Sequence, residues 1–134
     1  MYAFTVETKK RTQFVNIDAD VRRIIQTAKL KNGLLQLHVP HTTAGITINE
    51  NADPDVLHDL EFALDKIAPW HAAAYRHAEG NSAAHVKASM MGPSLALIIR
   101  DGEPQLGTWQ SVFFCEFDGP RRRNVWATAL RDEG

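Results

Sequence analysis

Apolar and polar positions alternate along several segments of the chain, which is the pattern of strands that bury one face. At the start, Tyr2, Phe4 and Val6 alternate with smaller or more polar side chains. Strands are predicted over residues 2–7, 12–17, 34–39, 42–49, 95–100, 109–117 and 124–130. Asp101-Gly102 is a turn signal between two of these strands, and Asp118-Gly119-Pro120 is another.

Three predicted helices interrupt this pattern of strands. The first helix is predicted over residues 20–31, with Asp18 or Asp20 as its N-cap and Asn32-Gly33 at its end. Its buried positions follow i, i+3, i+4, i+7 spacing and are Val21, Ile24, Ile25 and Ala28.

Asp53-Pro54 opens the second predicted helix, because an aspartate N-cap followed by proline is a favourable start. Its predicted core stripe is Leu57, Leu60, Leu64 and Ile67. Pro69 ends this helix, residues 70–82 are predicted as a loop, and a short third helix is expected over residues 83–91.

The order of the elements decides the fold class. Strands are followed by one helix, then strands, two helices and strands, so a helix does not follow every strand, as a doubly wound parallel sheet requires. We therefore predict an α+β fold, a mainly antiparallel sheet sandwich with a few packed helices. The 134 residues suit one compact domain, 1–134.

Charge and composition narrow the function. The net charge of −1 favours neither nucleic acid nor an acidic membrane as a partner. Residues 32–85 hold seven acidic residues against two basic ones, together with all six histidines, which suits a cation better than an anion. For any single acid, exposure to water is the simpler explanation.

The sequence also predicts the cellular location of the protein. The first residues lack the layout of a secretory signal, and no apolar run is long enough to cross a bilayer. We therefore expect a cytoplasmic protein with no membrane association. Cys115 is the only cysteine, and its apolar surroundings predict a buried, unreactive thiol.

The segment from His77 to His85 is the strongest candidate for metal chemistry. It holds two imidazoles and the carboxylate of Glu79 within nine residues, and imidazole nitrogen is a common ligand for zinc-like ions. His41, on the polar face of its predicted strand, would be a third ligand. Three protein ligands plus water would form an open catalytic site. Each histidine alone is equally consistent with a surface or capping role.

A second polar cluster surrounds the start of the second helix. Asn49, Glu50, Asn51 and Asp53 lie within five residues of one another, and such groups bind magnesium through water or hydrogen-bond a substrate. Helix capping explains Asp53, at least in part, but it does not explain the other three.

A third cluster follows the strand over 109–117. Glu116 lies in an apolar strand, so its carboxylate must be paired or its pKa will rise. It is either a poised acid or base or the partner of an arginine. The run from Arg121 to Arg123 suits an anion, although solvent exposure is the preferred interpretation for Arg122 and Arg123.

Five motifs, in order along nearly the whole chain, resemble the YjbQ family. They are HTTAGITINENADPD at 41–55, EGN at 79–81, AHVKAS at 84–89, GTWQ at 107–110 and EFDGPR at 116–121. The resemblance implies a compact α+β domain that assembles as a homotrimer. It also implies a secondary thiamine-phosphate synthase activity, in which a thiazole phosphate and a pyrimidine diphosphate are joined and pyrophosphate is released.

The resemblance also assigns roles to residues. It implies a divalent metal, zinc or magnesium, held by His41, His77 and His85. Three residues would be catalytic: Glu50 by binding metal-bound water, Glu116 as an acid or base, and Arg121 as an anion clamp. Contacts to a small phosphorylated molecule fall to Asn49, Asn51, Asp53, Glu79, Asn81 and Gln110. Two alternatives stay open: a metal-dependent hydrolase of a small phosphorylated molecule, and a non-catalytic trimer that binds a metal or small ligand.

Overall fold

Two antiparallel sheets form the framework of the computed structural model, which describes residues 1–132. In chain order the strands are β1 (Tyr2–Glu7), β2 (Gln13–Asn16), β3 (Gly33–His38), β4 (Ala44–Glu50), β5 (Ser94–Arg100), β6 (Glu103–Pro104), β7 (Gln110–Glu116) and β8 (Arg122–Arg131). The helices are α1 (Asp18–Thr27), α2 (Pro54–Ile67) and α3 (Ser82–Met91). The predicted α+β class and antiparallel pairing are confirmed.

One sheet has five strands in the order β1-β8-β3-β5-β6, and the other has three in the order β2-β7-β4. The main core lies between them and includes Leu35, Leu37, Ile46, Phe114 and Val125. Because side chains alternate along each strand, the five-stranded sheet buries one face and leaves the other open.

The three-stranded sheet is covered on both faces, and β7 shows this directly. Phe114 belongs to the core between the sheets, whereas Cys115 and Phe117 belong to a second cluster with Leu64 of α2 and Ala88 of α3. Every residue of β7 after Gln110 is buried. The sheet is therefore the middle layer, with α2 and α3 on its outer side, and the predicted burial of Cys115 is confirmed.

Helix α3 can lie close to β4 because position 45 is a glycine. A Cβ atom at Gly45 would come 2.9 Å from the Gly92 carbonyl oxygen and 3.0 Å from the Met91 Cβ. Both atoms belong to the end of α3 or its C-cap. This contact fixes how α3, and the loop that precedes it, sit on the sheet.

Two details of the helix predictions are wrong. Helix α1 begins at Asp18 and ends at Thr27, and neither Asp18 nor Asp20 caps it. Asp18 is used elsewhere, since its Oδ1 accepts a hydrogen bond of 2.8 Å from the Val112 backbone N–H. In α2, only Leu64 of the predicted stripe is fully buried, and Ile67 is exposed.

The predicted start of α2 is confirmed. Asp53 is its N-cap, and the carboxylate accepts a 2.9 Å hydrogen bond from the Asp55 N–H. Strand β6 lies in the segment expected to be a loop after Asp101-Gly102, where it pairs with the end of β5. Within residues 1–132, no helix is both long and apolar enough to cross a membrane. The cytoplasmic location stays a prediction.

Candidate functional site

An ion pair between Glu116 and Arg123 lies inside the protein where β7 ends and β8 begins. Glu116 Oε1 accepts from Arg123 Nε and from Thr8 Oγ1, each at 2.8 Å, and Oε2 accepts from Arg123 Nη2 and from the Asp118 N–H. Arg123 Nη2 also donates to Thr43 Oγ1 at 2.9 Å. This buried ion pair therefore links four segments of the chain.

This arrangement shows the arginine partner that was one of the two interpretations of Glu116. Its carboxylate is paired with an arginine, and no part of the side chain is exposed. A role as acid or base would require contact with a substrate, so that role stays a prediction. Arg123 was expected to face solvent, and this is wrong because the strand alternation of β8 points it inward with Val125 and Ala127.

The turn from Asp118 to Arg121 is held in shape by the same network. Thr8 Oγ1 accepts from the Arg121 N–H at 2.8 Å. The Arg121 side chain folds back on the turn, where Nε donates to the Asp118 carbonyl at 2.8 Å and Nη2 donates to Asp118 Oδ2 at 2.9 Å. The guanidinium stays half-exposed, so it can still reach a ligand.

Asn81 ties the start of α3 to this turn. Its side-chain amide donates from Nδ2 to Asp118 Oδ2 at 2.9 Å. Asn81 is the N-cap residue of α3, yet its side chain does not cap the helix. The residue is 7% exposed, and its Oδ1 has no hydrogen-bond partner within residues 1–132. A buried amide oxygen without a partner is costly, so it marks a place where a donor is missing.

His41 lies near the two arginines and is bound to the backbone. Its Nε2 accepts a 2.8 Å hydrogen bond from the Asn124 N–H. Partial burial and the charge of Arg123 lower the pKa of His41, Glu116 opposes this effect, and Arg121 adds to it. The ring is therefore neutral at pH 7, with its proton on Nδ1. Metal ligation by His41 would require this hydrogen bond to break.

His77 and His85 come together as predicted. Their ring centroids are 5.3 Å apart, with the rings nearly perpendicular. His77 Nε2 lies 3.8 Å from Glu79 Oε2, too far for a hydrogen bond. The histidine pair is thus present, with one carboxylate nearby.

A metal ion does not fit this donor set within one chain. Nowhere in the part of the chain that the structure describes do three histidine, cysteine, aspartate or glutamate side chains converge as a metal site. Both ring nitrogens of His41 are also committed, one to the Asn124 N–H and the other to a proton. A shared site for His41, His77 and His85 stays a prediction that one chain alone does not support.

The polar cluster predicted near α2 lies at the other end of the sheet. Glu50 pairs with Gln110 at one end of the β4–β7 ladder, and Ala44 pairs with Glu116 at the other. Six residue steps along a strand span roughly 20 Å. Asn49, Glu50, Asn51 and Asp53 are therefore remote from Arg121 in the same chain.

Local contacts already use several groups of this remote cluster. Asn49 Oδ1 accepts from the Glu50 N–H at 2.7 Å, and Gln110 Oε1 accepts from the Gly107 N–H at 2.7 Å. Asp53 caps α2. Among residues 1–132, the side chains of Glu50 and Asn51 form no such hydrogen bond, so a role in binding stays a prediction for them.

Sequence reasoning missed Thr8, Thr43 and Arg123 as parts of the network. Nothing in the local sequence around the two threonines marks them, since their partners lie more than 70 residues away along the chain. Arg123 carried a signal, because it alternates in step with the inward Val125 and Ala127.

Comparisons with known proteins agree on one family. The model of the family described as "UPF0047 protein YjbQ-like" matches residues 2–132. A UPF0047 protein from Methanocaldococcus jannaschii is 47% identical over 135 residues, covering 99% of this chain and 96% of that protein. UPF0047 protein YugU from Bacillus subtilis is 46% identical, covering 90% of this chain and 92% of YugU.

Solved structures show the same fold. An uncharacterized YjbQ/UPF0047 protein from Clostridium acetobutylicum has a TM-score of 0.94 at 45% identity, covering 97% of this chain and 100% of that one. A conserved hypothetical protein from Thermus thermophilus has a TM-score of 0.91 at 44% identity, covering 97% of this chain and 100% of that one.

These comparisons overturn the expected thiamine-phosphate synthase activity. The relatives are described as UPF0047 proteins or as uncharacterized, with no reaction attached. The family model likewise names no activity. Membership in this family therefore supplies no synthase or transferase assignment.

Proposed function

The chain belongs to the YjbQ-like UPF0047 family, and we propose that it binds a small phosphorylated molecule at the amino-terminal end of α3, beside Arg121. One observation carries this proposal: the Asn81 side chain forms a hydrogen bond with Asp118, so it does not cap α3. An uncapped helix start keeps free N–H groups and a partial positive charge, which together favour a phosphate group.

Arg121 supplies the complementary charge. Its guanidinium is fixed by Asp118 but remains half-exposed, and arginine forks match phosphate oxygens well. Asp118 does not repel an anion strongly here, because Arg121 and Asn81 both donate to its Oδ2.

His41 supports an anion rather than a cation nearby. Partial burial is the largest cause of the lowered pKa of His41, and the charges of Arg123 and Arg121 lower it further against the opposing charge of Glu116. The two guanidinium groups therefore give this place a positive potential, which would attract phosphate. The proposal keeps the His41 ring neutral, because an imidazolium could not accept the hydrogen bond from the Asn124 N–H.

Binding of inorganic phosphate to two arginine variants tests this proposal by calorimetry. Arg121→Gln should weaken binding at least about tenfold, because a charge-assisted contact contributes roughly 1.5–3 kcal/mol. Arg122→Gln is the matched control, since the neighbouring Arg122 pairs with Glu7 and should leave binding unchanged. Equal binding by both variants, or no binding by the unaltered protein, contradicts the proposal.

We also infer that the chain assembles as a homotrimer through the open face of the five-stranded sheet. Leu34 pairs with Leu130 on one side and with Ile98 on the other, so the three exposed side chains form one apolar row. Trp126 extends this surface. An open sheet face this apolar favours contact with another protein surface.

A cyclic trimer could also bring together polar clusters that are far apart within one chain. In a cyclic assembly each copy presents one patch to a different patch of its neighbour. Such a ring offers a route by which Glu50 and Asn51 of one copy approach Arg121 of the next. This would bring together groups that lie at opposite ends of β4 within one chain.

Sedimentation of Ile98→Lys tests the assembly. Ile98 is 59% exposed on the sheet face, so a charge there should shift the protein from trimer to monomer. Ile67→Lys is the matched control, because Ile67 is 62% exposed on α2, away from the sheet. A monomeric unaltered protein, or a trimer that survives Ile98→Lys, contradicts the inference.

A further inference from the structure

A buried lysine lies on the opposite side of α3 from solvent and is poorly explained by its one partner. The Lys87 side chain is 3% exposed, and its ammonium forms an ion pair with Asp65 of α2. The Asp65 side chain is 57% exposed, so the acid keeps its water while the cation has lost most of its own. Burying a charge costs free energy that pairing must offset.

The ammonium also has unused donors. A lysine ammonium carries three N–H groups, and Asp65 is the only acceptor within hydrogen-bond distance of Lys87 among residues 1–132. Its burial therefore leaves about two donors that require an oxygen acceptor from outside the described chain. A lysine that served only to pair with Asp65 could do so with its ammonium in water, where all three N–H groups have acceptors.

Lys87 lines a cavity of about 490 Å³, a size typical of small-molecule sites. Lys10, Arg11 and Thr12 contribute from the loop after β1, and Trp70 contributes from the segment after α2. The Arg11 guanidinium lies over the Trp70 ring, 4.1 Å from its centroid. The cavity therefore has a cationic wall from two parts of the chain.

The charge balance of the cavity favours an anion. Three cationic side chains line it, against the two acidic side chains of Glu61 and Asp65. Asp65 is already engaged by Lys87. Lys10 and Arg11 then face only Glu61, and the hydroxyl of Thr12 adds a neutral donor.

We propose that this cavity is a second binding site, specific for a small ligand with an oxyanion group, either a carboxylate or a phosphate. Lys87 is the buried contact to that group, and Arg11, held flat by Trp70, is the second contact. The residues that line this cavity include neither Arg121 nor Asn81, which define the site at the start of α3.

The loop after β1 lies between the cavity and the turn that carries Arg121. The Arg11 carbonyl accepts a 3.1 Å hydrogen bond from the Gly119 N–H, and Arg11 also lines the cavity. A Cβ atom at Gly119 would lie 2.3 Å from the Lys10 carbonyl oxygen, so the turn and the loop are in tight contact. The loop that lines the cavity therefore packs directly against the Asp118–Arg121 turn.

Fluorescence of Trp70, isolated by Trp109→Phe and Trp126→Phe, tests the proposal. Titration with inorganic phosphate and with acetate should give a saturable change for one or both, and the comparison distinguishes the two oxyanion classes. Lys87→Met should abolish the change, and Arg11→Gln, which leaves the core intact, should weaken it at least about tenfold. Arg121→Gln should leave it unaltered, which separates this site from the one at α3.

Three results would overturn the proposal. They are the absence of a saturable change with either anion, an unchanged response in Arg11→Gln, and loss of the response in Arg121→Gln. If Lys87→Met does not fold, Arg11→Gln decides alone. Failure of phosphate binding at Arg121 with a Trp70 response intact would reject the proposed function and leave this site standing.

Discussion

Glu116 and Arg123 form an ion pair with both side chains buried, and every carboxylate oxygen of Glu116 accepts at least two hydrogen bonds. The pair joins the end of β7 to the start of β8 and, through Thr8 and Thr43, to two further segments. The turn that carries Arg121 is shaped by this pair. The buried pair and the proposed binding site therefore share one part of the fold.

Removing one partner of the pair should destabilise the protein strongly. Arg123→Met leaves Glu116 buried and uncompensated, for which we expect a loss of about 3–5 kcal/mol in the free energy of unfolding. Denaturant unfolding measures this loss. Arg122→Met is the control, since its pair with Glu7 is exposed and should contribute about 0–1 kcal/mol. Similar losses in both variants would contradict the structural role of the buried pair.

His41 should make stability depend on pH. Burial and the neighbouring Arg123 lower its pKa in the folded protein below the ordinary value of 6.5. A lowered pKa means that the folded state binds the proton less well than the unfolded state. The contribution of His41 is therefore fully present above about pH 6.5 and is lost as the pH falls through the lower, folded pKa.

Unfolding free energies measured between pH 7.5 and pH 5 check this dependence. The loss on acidification should be smaller in His41→Gln than in the unaltered protein. NMR titration offers a second check, because His58 shifts the other way: its hydrogen bond to Asp59 raises its pKa. His41 must titrate below His58, and the reverse order would show that the environment of His41 is misassigned.

Cys115 should not react with thiol reagents in the folded protein. Burial raises the pKa of its thiol to about 12, so the thiolate is scarce and the sulfur is inaccessible. We expect no reaction with a disulfide reagent at pH 8 and release of one equivalent after denaturation. Rapid reaction of the native protein would mean that the contact between β7 and the α2–α3 layer opens readily.

Gly45→Ala should loosen α3 from the sheet. The added methyl group would lie 2.9 Å from the Gly92 carbonyl oxygen, which is backbone and cannot move aside without shifting the helix end. We expect a destabilisation of about 1–3 kcal/mol. Gly80→Ala is a useful contrast, because a methyl group there meets no atom within 4 Å and the cost comes only from its positive φ.

Local patterns predicted the fold well where burial is periodic. The alternation in β1 and the Asp53-Pro54 start of α2 both appear as expected, because short-range sterics and capping decide them. The buried stripe of α2 was overestimated. The apolar residues do follow helical spacing, but how many of them are buried depends on which layer of the fold packs against the helix. That is a property of the tertiary structure, not of the local sequence.

The site was predicted only in part. His77 and His85 were expected to meet, and they do, because one short loop and one helical turn separate them. Glu116 and Arg121 were singled out, but the buried partner of Glu116 is Arg123, which was assigned to solvent. The Asn81 side chain donates a hydrogen bond to Asp118 and does not cap its own helix. The two residues are 37 positions apart, so no local sequence pattern predicts this contact.

Amide NMR during a phosphate titration would locate a bound anion residue by residue. Phosphate at the start of α3 predicts saturable shifts of the Ser82 and Ala83 amides, together with the Arg121 side chain, and their loss in Arg121→Gln but not in Arg122→Gln. Shifts that avoid these amides, or that persist unchanged in Arg121→Gln, would contradict an anion site at this end of the helix.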